Sequence, residues 1–146
     1  MPAPVETLAG YVPAWIAQRA ASDPEFPRPT SEAFAAATLF ADISGFTALT
    51  ERLAARGAAG AEDLTRLLNA YLGQLVELIT GSGGDIVKFA GDAVLALWPA
   101  ADQEVLVARV RRAAECALDI QAKLHDCAVA DDVHLSLKLA VGAGTV

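Results

Sequence analysis

A chain of 146 residues is long enough to bury a real core within one domain, and its 54% hydrophobic content supplies that core. The formal net charge of -7, from 18 acidic against 11 basic side chains, argues against nucleic acid, because no Lys/Arg stripe exists to replace the counterions of a phosphate backbone. Two cysteines without zinc-like spacing, and no apolar run near the roughly 18 residues of a membrane span, argue equally against a disulfide scaffold, a zinc module and a membrane protein.

The start, Met1-Pro2-Ala3-Pro4-Val5-Glu6, lacks the basic head and apolar centre of a signal peptide, so a cytoplasmic location is the default expectation. Leu8, Tyr11, Val12, Trp15 and Ile16 recur at helical spacing and predict an amphipathic helix over Thr7 to Ala21, with Pro13 near its first turn. Its apolar face, Trp15 included, should dock and be buried. Pro24, Pro27 and Pro29 make Ser22 to Thr30 an extended linker. Residues 1–30 thus read as an arm, and 31–146 as the domain proper.

Ala37 to Ile43 is uniformly apolar, which predicts a central strand covered on both faces. A short helix should follow from about Thr47 to Ala55, broken at Arg56-Gly57. The next helix carries Leu64, Leu67, Leu68, Tyr71, Leu72, Leu75, Leu78 and Ile79 on one stripe, with Gly81 placed to stop it. Strands over Asp85 to Phe89 and Ala93 to Trp98 are so close together that only a tight hairpin connects them, with Ala90-Gly91-Asp92 at its tip. A further helix spans Asp102 to His125, burying Leu106, Val110, Ala113, Ala117, Ile120 and Leu124. After a loop ending at Asp131-Asp132, His134 to Val141 alternates as a strand with Leu135, Leu137, Leu139 and Val141 inward and Ser136 and Lys138 outward. Cys116 and Cys127 read as small buried or half-buried hydrophobes, and His125 and His134 as ordinary surface or strand residues. Gly81-Ser82-Gly83-Gly84 lacks the lysine of a P-loop and reads as a turn.

Strand, helix pair, hairpin, helix, strand is the split ferredoxin-like βαββαβ order of an α/β (α+β) fold, in which the first and third strands lie side by side in an antiparallel sheet. That order brings Asp42, at the end of the first strand, near Asp92 at the hairpin tip. Two carboxylates at neighbouring strand ends can hold hard divalent cations shared with a substrate's phosphates. A pair of such cations activates a hydroxyl and stabilises the leaving oxygen in an in-line phosphoryl or nucleotidyl transfer.

Phe40-Ala41-Asp42-Ile43-Ser44-Gly45-Phe46-Thr47 and Lys88-Phe89-Ala90-Gly91-Asp92-Ala93 together resemble the two metal-site motifs of class III nucleotidyl cyclases. The resemblance runs from about Thr38 to Val146, and is nearest to the soluble, bicarbonate-responsive adenylyl cyclase branch and its bacterial relatives. It implies an adenylate cyclase domain of cyclic-nucleotide signalling that converts ATP to 3′,5′-cyclic AMP and pyrophosphate. It further implies that the catalytic residues Asp42 and Asp92 ligate two Mg2+ or Mn2+ ions, with the Ile43 carbonyl completing one sphere. The backbone of Ser44, Gly45, Phe46 and Thr47 would approach the triphosphate, where a glycine at 45 leaves room for the turn and the phosphate. Lys88 stands where adenylyl cyclases carry a lysine toward the purine; in the bicarbonate-responsive enzymes the equivalent lysine of the metal-bearing domain lines the bicarbonate pocket, and both roles stay open.

Each family active site lies between two cyclase domains, so a homodimer or pseudo-heterodimer is implied. The family domain continues past the strand that ends here, and the asparagine and arginine supplied across the interface have no match up to Val146. The chain therefore reads as a palm truncated after its fourth strand, weakly active or inactive alone. The alternative is a non-catalytic cyclase-homology module that dimerises or senses bicarbonate or nucleotide, against which the intact Asp42 and Asp92 speak. A diguanylate cyclase or polymerase palm is disfavoured, because Gly83-Gly84-Asp85 is followed by Ile86-Val87 rather than Glu-Phe.

Overall fold

The apolar run becomes β1, Ala35–Ser44, in a computed structural model that describes residues 12–23, 25, 28–29, 31–130 and 133–146. It pairs on one side with β3 (Ala93–Ala100) and on the other with β5 (Val133–Thr145). With β2 (Asp85–Ala90) and β4 (Cys127–Ala130) the sheet has the order β2-β3-β1-β5-β4, and every pair is antiparallel. Four helices complete the described residues: α1 (Ala14–Ser22), α2 (Phe46–Ala54), α3 (Ala58–Gly81) and α4 (Gln103–Leu124). The expected βαββαβ order is present, with the first and third of its strands adjacent. An additional short strand, β4, occupies what was expected to be loop. It forms because Asp126 adopts a left-handed φ of +55° and turns the chain so that Cys127 faces Leu135 and Ala128 faces His134.

The core lies between one face of the sheet and the helices α2, α3 and α4. Leu39, Ala41 and Ile43 of β1, Val94, Ala96 and Trp98 of β3, and Leu135 and Leu137 of β5 alternate onto that face. Against them pack Leu75 and Ile79 of α3 and Ala113, Cys116, Ile120 and Leu124 of α4, the helical stripes legible in the sequence. Polar anchors fix the layers. Asp102 caps α4 by accepting from the Val105 N–H at 2.8 Å, Tyr71 donates to the Leu124 carbonyl at 2.8 Å, and the Trp98 indole donates to the Ser82 carbonyl at 3.2 Å. Among the described residues no helix is long and apolar enough to cross a membrane.

Three expectations need correction. β1 is covered along its whole length on one face only: Ala36 at its start is buried on the other face, but Thr38, Phe40, Asp42 and Ser44 point away from α2, α3 and α4, and Phe40 is 44% exposed. Helices α2, α3 and α4 lie on one side, as they do when an antiparallel sheet is built from hairpins and crossovers that return over the same face, while α1 reaches the other side at Leu97 and Pro99. Val141 points to the helical side but is 40% exposed, because β5 runs on beyond the helix layer that covers Leu135 and Leu137. The first helix begins only at Ala14, with Pro13 at its N-cap; Thr7 to Tyr11 lie outside the described residues. Trp15 is half-buried, its ring 5.3 Å from that of Phe34, while Val12 stays exposed.

Candidate active site

β1 and β3 run in register up to the pair Asp42 and Ala93, so Asp42 lies beside the residue that follows Asp92. The hairpin tip is a two-residue turn, Gly91-Asp92, closed by the pair Ala90 and Ala93. Gly91 takes φ +66°, as a first turn position requires when the turn must match the strands' twist. The two acids predicted to act together are thus brought together by backbone pairing alone. Both are half-buried. Neither takes part in a hydrogen bond or ion pair with a described residue.

The β1–β3 ladder stops at Asp42, so Ile43 has no strand partner on the side of Asp92. The chain then passes Ser44 and turns at Gly45, which holds φ +96° and serves as N-cap of α2 without any side-chain cap. A Cβ on Gly45 would lie 2.6 Å from the carbonyl oxygen of His134 at the start of β5, so glycine is required by conformation and by contact. The first N–H groups of α2, from Phe46 and Thr47 onward, lack side-chain partners, which suits an anion. Beneath the tip, Ile43, Phe46, Leu68, Leu72, Gly91 and Asp92 line a cavity of about 460 Å³.

Lys88 does not adjoin the two acids. It is exposed on β2, in register with Leu95, which faces Phe40, which in turn faces Ala140. Sequence reasoning passed over Lys138, which stands directly opposite Asp42 in the β1–β5 ladder and forms no ion pair with a described residue. Its signal was available in the outward column of the last strand, but only the register shows which residue it meets. No cluster of three or more His, Cys, Asp or Glu side chains occurs among the described residues, so a cation here would rest on two carboxylates, backbone oxygen and the substrate. That donor set fits Mg2+ or Mn2+: all oxygen, unpartnered, and too few for a closed protein cage.

His134 is an ordinary exposed residue whose Nδ1 lies 3.0 Å from Asp126 Oδ1, at the turn into β4. Cys116 is buried and Cys127 half-buried, both reduced. Burial raises the Cys116 thiol above its usual range.

The arrangement of βαββαβ sheet, acid-bearing strand end and Gly-Asp hairpin is that of a nucleotidyl cyclase palm. The family model for the adenylate and guanylate cyclase catalytic domain matches residues 30–146, and the chain belongs to that family. Among named relatives, it is 37% identical over 121 residues to adenylate cyclase type 10 of Rattus norvegicus, covering 82% of this chain and 8% of that protein. It is 34% identical over 145 residues to adenylate cyclase type 10 of Homo sapiens, covering 98% of this chain and 9% of that one. The chain spans less than a tenth of the length of these relatives. Among solved structures, the adenylyl cyclase CyaB of P. aeruginosa superposes with a TM-score of 0.58 at 26% identity, over 80% of this chain and 58% of that one.

Proposed function

We propose that this chain is the metal-binding part of an adenylate cyclase catalytic domain, acting on ATP to give 3′,5′-cyclic AMP and pyrophosphate. The observation that carries the reading is the unpartnered pair Asp42 and Asp92, set side by side where β1 ends and the β2–β3 hairpin turns. Carboxylates on neighbouring strand ends without partners of their own supply the oxygen donors that a hard divalent ion takes. The named relatives, adenylate cyclases of type 10, support the same chemistry.

In this reading Asp42, Asp92 and the Ile43 carbonyl hold Mg2+ or Mn2+, two ions per site. When bound, the ions would supply the charge that acidifies the ribose 3′-hydroxyl and offsets charge on the departing pyrophosphate. The uncapped start of α2, Ser44 to Thr47, offers N–H groups to the triphosphate. Lys138, opposite Asp42, adds a fixed positive charge on the same face. Lys88 is assigned to the adenine base rather than to bicarbonate. Its row across the sheet, Leu95, Phe40 and Ala140, is an apolar floor suited to a planar ring and contains no second cation for a small anion. Because Lys88 lies apart from Asp42 and Asp92, it serves the site formed with a second cyclase domain laid on the open face.

The test is calorimetric titration of the chain with Mn·ATP, joined to cyclic AMP formation by the chain alone and with a complementary cyclase domain. Asp42→Ala and Asp92→Ala should each abolish Mn2+-dependent nucleotide binding, and the complementary domain should raise turnover by orders of magnitude. Unchanged Mn·ATP affinity in both variants would refute the metal assignment.

A further inference from the structure

We propose that Asp85 is a positioning residue for Lys88: it clamps α1 over a bulge in β2, and that bulge turns Lys88 onto the open face. The inference rests on the reading of Lys88 as the base-contacting group. Residues three apart on a regular strand point to opposite faces. Asp85 and Lys88 do not. Asp85 is in register with Leu97 and Lys88 with Leu95, and the register shifts between Ile86 and Lys88, leaving Val87 as the extra residue. Leu95 and Leu97 pair with Phe40 and Thr38, all on the face away from α2, α3 and α4. Without Val87 as a bulge, Lys88 would turn to the helical side of the sheet.

A bulge in an edge strand has pairing on one side only, and β2 is the edge of this sheet. The other side is held by α1. Asp85 Oδ1 accepts the Ala14 N–H and Oδ2 accepts the Trp15 N–H, each at 2.8 Å, so both carboxylate oxygens satisfy orphan donors of the helix start. The bonds are charge-assisted and bridge about seventy residues of chain. Val87 lines a cavity of about 430 Å³ together with Trp15, Ile16, Phe34 and Leu97, so the bulge sits directly under the helix. At its other end α1 is fixed by Arg19, which pairs with Glu32 and lies over the Trp15 ring at 5.9 Å. The helix precedes residue 30, where the match to the family model begins.

The experiment measures, on the full chain, affinities for Mn·ATP, Mn·GTP and base-free Mn·tripolyphosphate, together with amide hydrogen exchange. Lys88→Ala should lower the ATP-over-GTP preference about tenfold, the loss expected for a hydrogen bond from a charged donor. Asp85→Ala should lower it at least about threefold, keep tripolyphosphate affinity within about twofold, and add nothing in the Lys88→Ala background. Amide exchange over residues 86–90 should rise about tenfold while that of α4 is unchanged. Trp15→Ala, which loosens α1 while leaving the Asp85 carboxylate in place, should reproduce the pattern if Asp85→Ala folds poorly. A preference that collapses in Lys88→Ala yet survives both other variants overturns the clamp and leaves the reading of Lys88 intact. If Lys88→Ala leaves the preference unchanged, the base assignment fails, and unchanged exchange over residues 86–90 in Asp85→Ala then overturns the clamp as well.

Discussion

Replacing Gly45 by alanine separates two physical demands that meet at the turn between β1 and α2. The backbone there holds φ +96°, and an L-residue forced toward left-handed conformations forfeits about 1–2 kcal/mol. The added methyl also lands 2.6 Å from the His134 carbonyl oxygen, a backbone atom of β5 that cannot swing aside as a side chain would. Overpacking of that kind costs about 1–3 kcal/mol. Gly45→Ala should therefore lose about 2–5 kcal/mol, read as a fall in the urea midpoint at constant m-value. Gly91→Ala is the control: its φ is +66°, but nothing lies within 4 Å of its would-be Cβ, so only the conformational part, about 1–2 kcal/mol, should be lost. Equal losses in the two variants would refute the claim that β5 bears on the Gly45 turn. The same substitution should weaken Mn·ATP binding, since Gly45 leads directly into the N–H groups assigned to the triphosphate.

Two glycines of α3 should respond in opposite directions. Gly60→Ala drives a Cβ to 1.8 Å from the Leu53 carbonyl oxygen and should cost about 3 kcal/mol, whereas Gly73→Ala meets nothing within 4 Å and should stabilise by about 0.5–1 kcal/mol in the same urea titration. Burial pushes the Tyr71 hydroxyl up to about 12, so its folded pKa lies above its unfolded value of 10.0. Its contribution is therefore fully present below pH 10 and fades as pH rises toward 12; stability measured across that window should lose part of its slope in Tyr71→Phe. Phe40→Asp places a charge in the exposed apolar row and should weaken self-association at least about tenfold in sedimentation velocity without lowering monomer stability, and an unchanged sedimentation profile would count against a partner on this face.

How much of this was readable in advance depends on the range of the interactions. The hairpin was legible because Gly91-Asp92 is a local signal between two apolar runs, and the helical stripes of α3 and α4 because a 3.6-residue period needs no knowledge of the partner. The adjacency of Asp42 and Asp92 followed from element order once the βαββαβ topology was inferred. Strand β4 was missed because four residues, Cys127 to Ala130, are too few to show a period, and the turn that creates it depends on Asp126 taking a left-handed conformation. The capping of α1 by Asp85 was invisible for a different reason. An N-cap is normally sought next to the helix, and here Pro13 occupies that place with no side-chain bond while the acceptor is Asp85, 71 residues beyond Ala14. The bulge at Val87 likewise exists only as a relation between two strands.

The misreading of β1 is the informative one. Uniform apolarity along Ala37 to Ile43 signals burial of both faces, yet α2, α3 and α4 cover one and α1 reaches only the far end of the other. The residues left uncovered are not arranged at random. Ala140, Phe40, Leu95 and Lys88 form one row across the open face; Lys138, Asp42 and Ala93 form the next; and α1 lies over Leu97 and Pro99 beyond the first. An apolar row flanked by a charged one, with a helix closing the far end, has the composition of an interface core and its polar rim. Leaving a large apolar side chain such as Phe40 in water forfeits about 1.5–3 kcal/mol, a cost that a strand at the centre of a sheet has no local reason to carry. On the proposed reading that cost is offset when a second cyclase domain covers the row, and the same closure excludes water from Asp42, Asp92 and Lys138, where electrostatic stabilisation of a transferring phosphoryl group gains most. The sequence signal was therefore wrong about the layers within this chain, and on the proposed reading the second layer over β1 would come from a partner domain.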